Sequence, residues 1–317
     1  VPSDPSSLLA ETPAALPDLF LCARALADSL HHGRHPSSRR GASSEFYDYR
    51  AFTPGDPARS IDWRAYARSD RLYLRRFHHE SQLTITIILD ASASMRFAGA
   101  DPAPTARPKF RCAQELAAAI ALIAARQGDR VALVLASASH HQTGALLEPA
   151  AGRPALRRVI AALEAARPDP FAARRARTRL SPLPAALRRA DSITPRGGLL
   201  LILTDALDEP APLLAALAPL RHEPARNRDA ALIQILTPDE MDIGAMTARF
   251  PLRLIDPERS HSGKTPAISA SDAEEYSAAI RAHIAALRAM LHALGCRHAL
   301  SLTTRSPIDA LREAMAR

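Results

Sequence analysis

Short apolar runs separated by amphipathic stretches dominate the pattern of this chain. Leu83-Thr-Ile-Thr-Ile-Ile-Leu-Asp90 is rich in β-branched residues, and it predicts a strand covered on both faces. Val131–Leu135 and Leu199–Leu203 predict buried strands in the same way, and Ala231–Leu236 predicts a further strand. Apolar residues at helical spacing predict helices over Leu16–Leu30, Phe110–Ala125, Leu156–Ala166, Ser181–Ala190, Pro212–Leu220 and Ala273–Leu294, and another from Ile308. Gly295 closes the long one as a C-cap. Shorter strands are expected at His141–Leu147, with Pro149 after it, and at Phe250–Ile255 and His298–Leu302. Leu72–Phe77 alternates like a strand and is the expected hairpin partner of the run at 83–90.

Strands alternating with helices predict an α/β fold: a doubly wound, mostly parallel, Rossmann-like sheet with helices on both faces. Three segments follow. Residues 1–13, rich in Ser, Pro and Asp, read as a loose tail. Residues 14–80 read as an N-terminal helix and an extension packed on the core, and 81–317 as the α/β domain with its C-terminal helices. Within the extension, residues 39–80 interleave aromatics with opposite charges and carry the sole tryptophan. Arg50, Asp56, Arg59, Asp62, Trp63 and Arg68 are its candidate partner-binding residues, and a platform of salt bridges and stacked rings is the alternative role.

Composition narrows the function classes. The chain is 47% hydrophobic but only 4% aromatic, so its core is built from Leu, Ala, Ile and Val. No apolar run approaches the ~18 residues that span a bilayer. The first residues show no basic-then-apolar leader. The expectation is a cytoplasmic protein with no membrane insertion. Cys22, Cys112 and Cys296 are far apart and have no zinc spacing. The His31-His32-Gly-Arg-His35 group reads as a helix end. The net charge is +8, but the basic residues are scattered, and all but Lys109 and Lys264 are arginine. That distribution argues against nucleic-acid binding. Ser262-Gly263-Lys264-Thr265 lacks the first glycine of a phosphate-binding loop, since Glu258 stands there.

The candidate chemistry lies at strand ends. Asp90, Ser92 and Ser94 place one carboxylate and two hydroxyls at alternate positions after the first buried strand, and Thr204-Asp205 follows another. In a doubly wound sheet these ends share one edge. Two carboxylates in one cleft repel unless a cation or proton lies between them. An all-oxygen set suits Mg²⁺, or Mn²⁺.

Asp90-x-Ser92-x-Ser94 after a buried strand resembles the first loop of the metal-ion-dependent adhesion site of von Willebrand factor A-like domains. Thr204-Asp205 resembles the third loop. For the second, Ser181-Pro182-Leu183-Pro-Ala-Ala186-Leu187 keeps the family's spacing, with Ser181 where threonine is usual, Pro182 in place of an acid, and Thr178 as the other candidate. The resemblance implies a metal set of Asp90, Ser92, Ser94, Ser181 and Asp205. Further motifs, Arg39-Arg40-Gly41, Glu45-Phe46, Asp48-Tyr49-Arg50, Pro54-Gly55-Asp56, Arg59-x-Ile61-Asp62-Trp63, Ala67-Arg68, Lys109-Phe110 and Gly128-Asp129-Arg130-Val131, resemble the bacterial domain-of-unknown-function 58 family. Pro57 stands where that family often has a second Asp. The resemblance implies a non-enzymatic, Mg-dependent protein-binding module, an adaptor for a MoxR-type AAA+ ATPase that takes an acidic residue of a protein ligand. The alternative is a metal-dependent phosphoryl hydrolase using Asp90. Haloacid-dehalogenase-type phosphatases place a second acid two residues later, where this chain has Ser92.

Overall fold

A computed structural model of the chain describes residues 19, 22–27, 46–51, 63–69, 71–77, 82–99, 107–138, 146–170, 181–222, 228–244 and 269–315. Two compact units emerge, one of residues 34–82 and one of residues 1–33 with 83–317.

The smaller unit contains an antiparallel pair, β1 (Phe46–Ala51) and β2 (Tyr73–Phe77), in register Arg50 to Leu74, and helix α2 (Trp63–Ser69). Neither β1 nor α2 follows from the apolar pattern, because this segment alternates rings with charges. The structure also corrects the pairing of Leu72–Phe77, which joins β1 rather than the run at 83–90. That run has no free edge, since it is hydrogen-bonded on both sides within the large sheet.

The larger unit opens with a helix, α1, over residues 22–27. Its sheet consists of β3 (Thr84–Asp90), β4 (Arg130–Ala136), β5 (Leu146–Ala151), β6 (Leu199–Thr204), β7 (Asp229–Leu236) and β8 (Arg297–Leu302). The spatial order is β5-β4-β3-β6-β7-β8. All neighbours are parallel except β5, which is antiparallel to β4 at one edge. The edge strand is described over Leu146–Ala151 and runs through Pro149, which an edge tolerates because one side of the strand needs no donor. The strand expected at Phe250–Ile255 lies outside the described residues.

Helices α3 (Lys109–Gln127), α4 (Gly152–Ala165), α5 (Leu183–Ile193), α6 (Pro210–His222), α7 (Pro238–Met241), α8 (Ala270–Ala293) and α9 (Pro307–Met315) complete the unit. The pleat divides the core. Ile85, Ile87 and Leu89 of β3 and Leu199, Leu201 and Leu203 of β6 pack with α3, α4 and α9 on one face, joined by Leu19, Ala23 and Ala27. Ile88, Leu200 and Ile202 face α5, α6 and α8 on the other. The fold is therefore an α/β/α arrangement around a mostly parallel sheet. Among the described residues, no helix is long and apolar enough to cross a membrane.

One sequence motif is explained by the turn into β4. Gly128 ends α3 in the left-handed region, at φ 75°. Asp129 then accepts the Leu83 amide at 3.0 Å, and the Arg130 amide donates to the Leu83 carbonyl at 2.9 Å. The motif aligns the start of β4 with the start of β3.

Chain order places the crevice. From β3 the chain moves outward to β4 and β5, and from β6 it moves outward the other way to β7 and β8. The reversal falls between β3 and β6, and ligands of open α/β sheets bind beyond the carboxyl ends of strands at such a point. The register makes the placement firm: Leu89 pairs with Leu203, so Asp90 and Thr204 end adjacent strands side by side. Leu201 is fully buried at the centre of this arrangement. Leu201→Ala should cost about 3 kcal/mol of unfolding free energy in a urea titration, the transfer and cavity terms together. A loss well under 1 kcal/mol would contradict its core position.

Candidate functional site

Asp90 lies at the end of β3 on the face that also holds Ile88, and it is 3% exposed. Thr204 Oγ1 donates to its Oδ2 at 2.6 Å, and the Ser92 amide donates to its Oδ1 at 2.9 Å. Ser92 and Ser94 enter the following 3-10 turn with their hydroxyls 3.1 Å apart. Asp205 follows Thr204 in the neighbouring loop, also buried. Burial and then the charge of Asp205 push the Asp90 carboxyl up to about 7, against the hydrogen bonds from Thr204 and Ser92. β3 and β6 are neighbours in the sheet, so the two carboxylates share one crevice.

Lys109, which the sequence offers only as part of the family-like Lys109-Phe110 pair, takes a place in the site that the motif did not assign. It opens α3, its side chain is fully buried, and its ammonium donates to Asp205 Oδ2 at 2.7 Å and to Glu240 Oε1 at 2.6 Å. Burial works to lower its pKa, but Asp205 and Glu240 outweigh that and hold it above the ordinary value. A cation at a helix N-terminus opposes the helix dipole, so α3 gains nothing from it there. Glu240 is itself fixed: its Oε2 accepts the Thr237 amide at 2.8 Å in the capping box of α7. A signal was available, because lysine appears at only two positions in an arginine-rich chain. A compact ammonium suits a tight seat between two carboxylates better than a planar fork does.

The third loop is braced from behind. Gln234 Nε2 donates to the Asp205 carbonyl at 2.9 Å. Arginine can only donate, so the 3.3 Å contact of Arg288 Nε with His298 Nδ1 makes that nitrogen an acceptor. His298 Nε2 then carries the proton and donates to Gln234 Oε1 at 3.1 Å. Burial, and then the charges of Arg288 and His292, lower the His298 pKa to about 4, which keeps this tautomer neutral. Ala206 takes φ +46°, a left-handed backbone that costs roughly 1 kcal/mol or more for a residue with a Cβ. Its amide donates to Thr204 Oγ1 at 3.0 Å, and His283 Nε2 donates to its carbonyl at 2.8 Å.

Ser181 stands just before α5, where its Oγ accepts the Leu183 amide at 3.5 Å, and Thr178 lies outside the described residues. From the segment after α4, the Asp169 amide donates to the Ala91 carbonyl at 2.7 Å. Both carboxylate oxygens of Asp169 are engaged, by Ser137 Oγ at 2.6 Å and the Ala138 amide at 2.7 Å, so it braces the edge of β4. In the smaller unit, Trp63 is 60% exposed, and it meets Tyr66 edge-on with ring centroids 6.2 Å apart. Arg68 is exposed on the same helix, Arg50 lies in β1, and Asp56, Arg59 and Asp62 lie outside the described residues.

Among the described residues, no three His, Cys, Asp or Glu side chains converge as a metal cluster, so an ion here would draw on hydroxyls as well as carboxylates. The donors fit a small hard cation: all are oxygens, and two are carboxylates at the crevice. The charge fits too: among the described residues, Lys109 pairs with Asp205 and Glu240, and Asp205 in turn faces Asp90, so three carboxylates stand near one ammonium. Asp90, Ser92, Ser94 and Asp205 would hold the ion.

The raised pKa of Asp90 has a consequence for the metal-free protein. A carboxyl whose folded pKa exceeds its unfolded value adds stability that is full below about pH 4 and is lost as pH rises through about 7. In EDTA, Asp90→Asn should therefore raise the melting temperature by several degrees at pH about 8, and the gain should shrink toward pH about 5. A gain that does not change with pH, or a loss at pH about 8, would contradict the burial of an ionised Asp90.

Comparison with known proteins adds the lineage. An uncharacterized protein of Mycobacterium bovis is 28% identical over 230 residues, which covers 73% of this chain and 67% of that protein. Uncharacterized proteins from two strains of Mycobacterium tuberculosis match with the same identity and coverage. The family described as "Protein of unknown function DUF58" matches residues 48–286, from β1 to within α8. With three quarters of its length matched, including both carboxylates, Lys109 and Glu240, the chain belongs to the DUF58 family.

Proposed function

We propose that this chain is a non-enzymatic, divalent-cation-dependent protein-binding module of the von Willebrand factor A-like type. Mg²⁺ or Mn²⁺ is held by Asp90, Ser92, Ser94 and Asp205, with Ser181 as the candidate from the second loop. The observation that carries this reading is the paired burial of Asp90 and Asp205 at the switch point of the sheet, with Asp90 pushed up to about 7 by burial and by its neighbour. A bound divalent ion supplies the missing positive charge and an open position for a carboxylate from a protein ligand.

The partner we propose is a MoxR-type AAA+ ATPase, with this chain as its adaptor. Its support is the likeness of the residue 39–80 motifs to the family often associated with such ATPases. The exposed pair Trp63 and Tyr66, with Arg68 beside them, supports a partner-binding role for the smaller unit. The position two residues after Asp90, where a phosphatase of the haloacid-dehalogenase type carries its acid, is a serine, which argues against the hydrolase alternative.

Isothermal titration should show one Mg²⁺ or Mn²⁺ bound per chain, and Asp90→Ala should abolish it. Unchanged uptake in that variant would overturn the site. Immobilised chain should retain a purified MoxR-type ATPase from the same genome in Mg²⁺ and release it in EDTA. Retention that ignores both EDTA and Asp90→Ala would place the partner's contact elsewhere.

A further inference from the structure

Lys109 takes no part in the ligand set proposed above, yet it is the most completely buried charge at the site. Its two partners are fixed. Glu240 is tied through its second oxygen to the start of α7, and the carbonyl of Asp205 is tied to Gln234. Lys109 is fixed as well, because its amide donates to the Phe97 carbonyl at 3.0 Å as α3 begins. The ammonium is therefore a strut running from the first-loop exit to the third loop and on to the turn after β7. It occupies Asp205 Oδ2 and leaves Oδ1 for other work. Its burial between two carboxylates means that the site always contains one positive charge.

Resting on the metal reading above, we propose that Lys109 is a positioning and charge-setting residue. It seats Asp205 so that a bound ion meets Oδ1 alone, and its permanent charge makes the site one for a divalent ion. With the three carboxylates ionised, as a bound ion requires, Asp90, Asp205 and Glu240 set against Lys109 give a formal charge of −2, which one divalent ion neutralises. Lys109→Met changes that to −3, Glu240→Gln changes it to −1, and the double variant returns it to −2. Trivalent and divalent ions respond differently to each step, because the Coulomb energy scales with the charge of the ion. The ratio of their affinities therefore reports the charge of the seat rather than its mere integrity.

The test is isothermal titration of the full chain with Mn²⁺ and, separately, with La³⁺. Relative to the wild type, Lys109→Met should raise the La³⁺-to-Mn²⁺ affinity ratio by about tenfold or more. Glu240→Gln should lower it by a similar factor, and the double variant should return to within about threefold of the wild type. Removing Lys109 alone strands two buried carboxylates and threatens folding. If that variant does not fold, Glu240→Gln and the double variant carry the comparison. Ratios unchanged across the folded variants, with wild-type Mn²⁺ uptake intact, would overturn the role of Lys109 and leave the metal site standing. Wild-type protein that takes up neither ion would overturn both.

Discussion

Burying two like charges side by side is the costliest feature of this fold, and its placement follows from the strand order. Asp90 ends β3, and Asp205 follows Thr204 at the end of the adjacent parallel strand β6, so the register brings the two carboxylates to one crevice. Each carboxylate is treated differently. Asp205 receives a full positive charge from Lys109, while Asp90 is met by hydrogen bonds from Thr204 and Ser92. Burial, and then the charge of Asp205, push the Asp90 carboxyl up to about 7. The surroundings are arranged to hold this inequality in place. Gln234, His298 and Arg288 form a one-way chain of donors to the third loop, and His283 fixes the strained Ala206 beyond it.

Lys109 connects the fold to this chemistry. Its position at the first turn of α3 runs against the helix dipole, and its burial runs against its own hydration. Both costs are offset by two carboxylates from different parts of the chain, 96 and 131 residues away. The ion pair therefore ties three elements together: the start of α3, the loop after β6 and the turn after β7. Replacing a buried pair of this kind by well-packed apolar residues is often neutral or stabilising, whereas removing one partner is strongly destabilising. Here that geometry leaves Asp205 with one oxygen directed by the loop and Asp90 without a compensating charge.

The sheet was legible in the sequence because strands buried on both faces need continuous apolar runs, and β3, β4, β6 and β7 have them. Asp90 and Thr204-Asp205 could be placed on one edge for the same reason. The edges were harder. β5 contains Pro149, which a pattern reading treats as a terminator. Leu72–Phe77 has a strand-like alternation that says nothing about its partner, and the nearest apolar run was already central in the sheet. Lys109, Glu240 and Asp169 left little trace, because their roles depend on contacts across the sheet rather than on local spacing. His298 looked like an ordinary strand residue, and only the donor-only chemistry of Arg288 reveals its tautomer.

Anomalous scattering from crystals soaked in Mn²⁺ tests the central claim most directly. A single ordered peak is expected beside Asp90 and the hydroxyls of Ser92 and Ser94, roughly 2.0–2.2 Å from their oxygens, with Lys109 still on the far oxygen of Asp205. An empty crevice under saturating Mn²⁺, or an ion that has taken the seat of the Lys109 ammonium, would contradict it.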